Sequence, residues 1–312
     1  MTEKNVIVIG SGPAGYTAAI YLARAMLNPL LFEGFSAGGT IGGQLMTTDL
    51  VENYPGFAKG VNGQNLMMEM REQVQENGVE CVMSDIVSLE KDGEKIILTD
   101  SNGDKFSAKS VIVATGASVR RLDLESERKF WQKGISACAV CDGGLPIFRN
   151  RELAVIGGGD SAVEEAIYLT KFASKVYLIH RRDELRASKV LRENLQKNEK
   201  IEILYNKIPV EFYGEKLLGG IKLKDTQTGE ISDLALSGCF EAIGNIPNTQ
   251  FLGGLVNLDE NGYILTDENN MTNIAGIFAA GDVMNPNYKQ AVIAAGNGAK
   301  SALACERWLQ SN

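Results

Sequence analysis

A single histidine, His180, serves the whole chain of 312 residues. That scarcity works against a structural zinc site, which needs four ligands, usually in two close Cys or His pairs. Cysteine is scarce as well. Of five cysteines, Cys81, Cys239 and Cys305 stand isolated, which is not the framework of a secreted disulfide scaffold. Positive charge is in deficit: 31 Lys and Arg against 39 Asp and Glu give a net charge of −8. This balance argues against a nucleic-acid binder and against an anionic membrane surface. No apolar run approaches the ~20 residues needed to span a bilayer. The start, MTEKNVIVIGSG, enters an apolar strand by residue 5 and carries no long apolar segment with a cleavage site. The expectation is a reducing, cytoplasmic compartment, with no membrane and no nucleic acid as partners and no metal.

Glycine, by contrast, is plentiful, with 34 residues. The length suggests roughly two domains of ~150 residues each. Residues 5–9 form an apolar, β-branched run that reads as a buried parallel strand. Gly10, Gly12 and Gly15 follow as G-x-G-x-x-G, and then TAAIYLARA, rich in helix formers. A tight turn, a backbone free to approach a pyrophosphate and a positive helix end form the dinucleotide-binding arrangement. Glu33, closing NPLLFEG, stands near the distance at which an acid meets a ribose hydroxyl; a solvated loop charge is the alternative.

The pattern returns in RELAVIGGGDSAVEEAIYLTKFA. A strand at 153–156 precedes Gly157, Gly159 and Ala162 as G-x-G-x-x-A, with Asp160 and Ser161 opening the next helix. Two such units in one chain fit a flavin plus a nicotinamide nucleotide. After the second loop comes KVYLIHRRDELRASK. Where an NAD site would place an acid, this chain offers His180, Arg181, Arg182 and Arg186. An Arg fork suits a 2′-phosphate, with charge-assisted and bidentate hydrogen bonds. The second unit is therefore expected to hold NADPH and the first FAD. A third signal, an apolar strand over 274–280 ending in Gly281-Asp282, suggests that the C-terminal part completes the first unit.

The expected fold class is α/β: two Rossmann-like three-layer nucleotide-binding domains, the NADPH domain inserted into the FAD domain. The expected boundaries are 1–117 and 248–312 for FAD and 118–247 for NADPH. Runs 110–118 and 238–249 read as the two crossings between them.

Between the units lies SACAVCDGG, with Cys138 and Cys141 two residues apart and Asp142 behind. With one Cys pair and one histidine, zinc lacks ligands. A purely structural disulfide would close a very small ring and gain little loop entropy. A redox dithiol remains, its sulfurs at a helix N-terminus. Such a pair needs a proton carrier. Asp142 is the nearest candidate, its pKa open to being raised in an apolar site; a helix-capping role is the alternative.

GSGPAGYTAA, GGQL at 42–45, ENYPG at 52–56, VIVATGAS, SACAVCDG, GGGDSAVEEA, HRRDELRA and GIFAAGDV together resemble the low-molecular-weight thioredoxin reductases, in order and over nearly the whole chain. The resemblance implies that Ser11, Gly12, Pro13 and Ala14 line the FAD pyrophosphate and that Gly43 and Gln44 line the middle of that nucleotide. It places Asn53 and Asp282 on the flavin and ribitol side, and Gln290 and Ala291 at the isoalloxazine edge. It assigns Cys141 as the sulfur nearer the flavin and Cys138 as the one that attacks thioredoxin, and it implies a homodimer. Lys289 stands where that family often has Arg, so the charge survives and the planar fork is lost. Asn245 stands where it often has His. The resemblance also implies rotation of the inserted domain about 116–119 and 244–248, with Gly116 and Gly244 absorbing the change or serving as simple strand-end turns. A related reductase with another protein acceptor and a non-catalytic flavin-binding redox sensor are the alternatives.

Overall fold

The computed structural model describes residues 1–34, 41–48 and 50–312. The chain divides into two compact units, Met1–Ser118 with Ile246–Asn312, and Val119–Asn245. The second is thus an insertion in the first, and both are α/β.

In the first unit, strand Thr2–Ile9 lies parallel between Leu30–Phe32 and Lys105–Val113. Glu80–Val82 extends one side of this seven-stranded sheet, and Ile277–Ala279 returns from the C-terminal part to pair in parallel with 111–113. The hairpin Ile86–Asp92 and Lys95–Asp100 continues the other side. Ile277–Ala279 is shorter than the sequence suggests, because Gly276 before it sits at a φ of 85°, outside strand geometry.

Both faces of the sheet are covered at its centre, which is why residues 6–9, Leu30–Phe32, residues 111–113 and Ile277–Ala279 are apolar at every position, whereas the hairpin strands alternate. Val6 and Val8 face helices Pro13–Arg24, Gly63–Glu76 and Ala291–Ser311 through Ala18, Leu22, Met67, Val74 and Ala302. Ile7 and Ile9 face the opposite core, with Ile96, Leu98, Leu252 and Ile264.

The inserted unit repeats the principle with a different third layer. Its parallel sheet runs Ile135–Ser136, Gly238–Ala242, Glu152–Gly157, Lys175–Ile179, Ile201–Leu204 in spatial order. Leu153 and Val155 pack on helix Asp160–Leu169 through Ala162, Val163 and Ala166. Ala154 and Ile156 pack on an antiparallel sheet, Lys207–Gly214, Leu218–Asp225 and Ile231–Ala235, through Phe212, Ile221 and Leu223. One acid, Glu241, stands buried in this sheet at 2% exposure. Burial first, and then the neighbouring Glu127 carboxylate held by Arg121, push it up to about 8.

The chain leaves the first unit after Ser118 and re-enters at Ile246. Asn248 fastens the first unit's side: its Nδ2 donates to Thr115 O at 2.8 Å, its N–H to Gly116 O at 3.0 Å, and Ser118 Oγ donates to its Oδ1 at 3.0 Å. In the inserted unit, the Arg120 N–H donates to Gly244 O at 3.0 Å. Gly116 and Gly244 both have positive φ, 68° and 104°, the conformation that excludes most other residues at these turns.

Candidate functional site: two glycine loops and a dithiol

The first loop joins strand Thr2–Ile9 to helix Pro13–Arg24. Gly12 is the N-cap and no side chain caps this helix end. Space beside Gly12 is open, with no atom within 4 Å of where a Cβ would lie. The turn itself is closed tightly: a Cβ on Gly15 would lie 1.8 Å from Gly10 O. Ser11 is buried and donates from Oγ to Glu33 O at 2.6 Å while accepting from the Gly42 N–H at 2.9 Å. This bond draws the 42–44 segment to the loop. Gln44 Nε2 reaches Ala117 O at 2.5 Å.

Helix Ala291–Ser311 crosses close to the start of the first helix, since a Cβ on Gly298 would meet Ala14 O at 2.1 Å. Gln290 is its N-cap, without a side-chain cap, and Asn53 Nδ2 donates to Gln290 Oε1 at 3.0 Å. Asp282 is largely buried, which pushes it up to about 6 against the opposing pull of Lys289. Lys289 lies over the Tyr263 ring at 5.4 Å and donates to Pro286 O. Residues from 11–14, 42–44, 53 and 282–291 are thereby tied into one unit. An open, uncapped helix end with its tight glycine turn fits a dinucleotide pyrophosphate.

Glu33 requires correction. Its carboxylate is fully buried. Tyr16 donates to Oε1 at 2.9 Å, and Arg71 grips both oxygens at 2.7 and 2.9 Å. It is a fastener between strand end and helices, neither a free ribose acceptor nor a solvated loop charge. Burial and this acid push the Tyr16 hydroxyl well above its usual range. Tyr16 and Arg71 carry no signal in sequence spacing that would single them out.

The second loop repeats the geometry. Gly159 caps helix Asp160–Leu169 without a side-chain cap and with open space beside it. Ser161 is exposed, and Asp160 Oδ1 accepts from the Ser188 N–H at 2.7 Å. Arg181, Arg182 and Arg186 are exposed and form no ion pair among the described residues. This loop too fits a dinucleotide, with three cations beside it.

His180 is the second correction. It is 6 % exposed, with Nδ1 3.0 Å from Gly157 O and Nε2 3.0 Å from Glu184 O. Both ring nitrogens face backbone carbonyls, so neither points to a phosphate. The ring fills the space where a Cβ on Gly158 would lie, 2.2 Å away. Gly158 O in turn accepts from the Arg186 and Ala187 N–H groups at 2.7 and 3.2 Å. His180 thus binds the glycine loop to the arginine segment.

Cys138 and Cys141 form a disulfide in the inserted unit. Cys138 is the N-cap of the turn Ala139–Asp142, and its Sγ accepts from the Cys141 N–H at 3.2 Å. Asp142 is buried and ends the turn, so it is not the cap. Its Oδ2 accepts from Ser136 Oγ at 2.5 Å. Ser136 was not singled out by the sequence. No helix among the described residues is long and apolar enough to cross a membrane.

Two nucleotide-type loops and a disulfide define a class, the flavin- and pyridine-nucleotide-linked oxidoreductases. The model of the family Pyridine nucleotide-disulphide oxidoreductase matches residues 4–298. Thioredoxin reductase of Chlamydia pneumoniae is 50% identical over 312 residues, covering 99% of this chain and 100% of that protein. Thioredoxin reductase 1 of Saccharomyces cerevisiae is 49% identical over 317 residues, covering 100% and 99%. The solved thioredoxin reductase of Giardia duodenalis superposes with a TM-score of 0.93 at 38% identity, covering 99% of this chain and 100% of that one. The chain belongs to the pyridine nucleotide-disulphide oxidoreductase family, within it to the low-molecular-weight thioredoxin reductases.

Proposed function

We propose that this oxidoreductase carries FAD in the unit formed by 1–118 and 246–312 and uses NADPH, bound by the inserted unit, to reduce the disulfide of a thioredoxin. The observation that carries the reading is the combination, in the inserted unit, of an uncapped glycine loop, three exposed arginines with no ion pair among the described residues and the Cys138–Cys141 disulfide. FAD, when bound, supplies two-electron chemistry, accepting a hydride and passing its electrons to a disulfide.

The chain's own residues then have defined work. Gly12 and the helix end behind it hold one pyrophosphate, with Ser11, Pro13, Ala14, Gly43, Gln44, Asn53, Asp282, Lys289, Gln290 and Ala291 around the rest of FAD. Gly157, Gly159, Asp160 and Ser161 hold the second pyrophosphate. Arg181, Arg182 and Arg186 take the 2′-phosphate. Once the dithiol is reduced, Cys138 thiolate attacks one sulfur of the thioredoxin disulfide and releases the other as thiolate. Cys141 thiolate then attacks Cys138 Sγ, which re-forms the enzyme disulfide and frees the second thioredoxin sulfur. Asp142 carries a proton to and from the pair. The protein works as a cytoplasmic homodimer. The inserted unit turns about the two crossings in each cycle.

The test is to release and identify the flavin, then to measure NADPH and NADH oxidation with a panel of thioredoxins and glutaredoxins. NADPH-specific turnover with thioredoxin is expected. Equal use of the two nucleotides would remove the arginine assignment. Flavin reduction without any thioredoxin turnover would favour another acceptor.

A further inference from the structure

Ser136 ends strand Ile135–Ser136, which pairs in parallel with Cys239 and Phe240 in the inserted unit's sheet. It is 2 % exposed. Its hydroxyl has two partners: Asp142 Oδ2 at 2.5 Å and the Cys138 N–H at 3.1 Å. The Cys138 N–H donates to the hydroxyl, and the hydroxyl donates to the carboxyl oxygen. One group anchored in the sheet therefore grips the redox turn at both ends, Cys138 through its backbone and Asp142 through its side chain.

We propose that Ser136 is the positioning residue for the proton step of the dithiol cycle. This rests on the reading of Asp142 as the proton carrier. Two electrons, supplied from NADPH through FAD with the hydride's proton released to water, would break the S–S bond and leave two thiolates. One proton passes from the Asp142 carboxyl to one of them, giving a thiol, a thiolate and a carboxylate. Ser136 donates to that carboxylate and so favours the charged product of the transfer. On the return, the thiolate attacks the acceptor disulfide, the thiol returns its proton to Asp142, and the ring closes. The acceptor's two thiolates take their protons from water. Because Ser136 Oγ also accepts from the Cys138 N–H, swinging this side chain away from Asp142 would leave that part-buried N–H unpaired, which is costly.

The experiment compares Ser136→Ala, Ser136→Thr and Asp142→Asn in the full-length, FAD-loaded enzyme. Ser136→Ala should keep its flavin and NADPH-driven flavin reduction. It should lower kcat for thioredoxin reduction by about tenfold, as for one charge-assisted hydrogen bond. The limb of the kcat–pH profile that is absent in Asp142→Asn should move to higher pH, because the carboxylate has lost a donor. Ser136→Thr, which retains a hydroxyl, should restore both. Should Ser136→Ala not fold, Ser136→Gly removes the same hydroxyl and reads the same limb. Wild-type behaviour of Asp142→Asn would overturn the proton-carrier reading and the proposal with it. An impaired Asp142→Asn beside an unmoved profile in the hydroxyl-free variant would overturn the role of Ser136 alone.

Discussion

The residue directly after the strand that follows each glycine-loop helix is an acid in one unit and an imidazole in the other, and the two share one fate. Glu33 follows Leu30–Phe32 and His180 follows Lys175–Ile179. Both are buried, at 3% and 6% exposure, and both have their polar atoms engaged by the protein. In each unit this position fastens the glycine loop's surroundings. The units differ further along, where the inserted one leaves Arg181, Arg182 and Arg186 exposed. On the proposed function, nucleotide choice falls to these three side chains, which form no ion pair among the described residues, and the strand-end residue sets their frame.

The most severe way to divide the units is at the dithiol. Cys138→Ser and Cys141→Ser should each abolish thioredoxin reduction while FAD content and NADPH-driven flavin reduction persist. Only the variant that retains Cys138 should trap a mixed disulfide with thioredoxin on a non-reducing gel. Trapping through Cys141 alone would reverse the roles.

Next in size is the arginine pair. Arg181→Ala with Arg182→Ala should raise KM for NADPH by about a hundredfold or more, at roughly 1.5–3 kcal/mol per charge-assisted bond. KM for NADH should barely move. His180→Gln sharpens the contrast, since a fastener serves both nucleotides: KM for NADPH and NADH should rise together. A selective rise for NADPH would return His180 to the phosphate site.

Glu33→Gln is the counterpart in the other unit. It leaves Arg71 without its charged partner and should cost on the order of 1–3 kcal/mol of stability. Thermal unfolding and flavin release read that loss, and nucleotide preference should stay unchanged.

The smallest expected effect is a pH-dependent change of a few degrees in Tm. Glu241 is raised from its ordinary 4.5 to about 8 in the folded protein. The folded state therefore keeps a proton that the unfolded chain gives up, and stability falls as pH rises from about 4.5 to 8. Glu241→Gln removes that loss. Its Tm should gain on the wild type between pH 5.5 and 8.5, and a constant difference across that range would exclude the linkage.

Much of this was legible in the chain. The strand–glycine–helix units, the insertion of one in the other and the Cys pair follow from local patterns that the backbone must obey wherever it folds. A helix end behind a glycine turn is a local object, and so is a two-residue cysteine spacing. Partnership is not local. Glu33 meets Arg71 across 38 residues, and His180 meets Gly157 across 23. Ser136 and Asp142 are six residues apart, yet a strand end and a helical turn must both form before their side chains can meet.

The sequence by itself determined which elements form, that both loops suit a dinucleotide and where the Cys pair lies, because periodicity and glycine spacing act over a few residues. Only the tertiary structure decided which of the polar residues are spent on the fold. A buried carboxylate or imidazole must have its hydrogen bonds satisfied, and the partners that satisfy it come from distant segments. Glu33 and His180 are consumed in that way, the arginines form no ion pair among the described residues, and Ser136 acquires a place beside the Cys pair that no motif assigns to it.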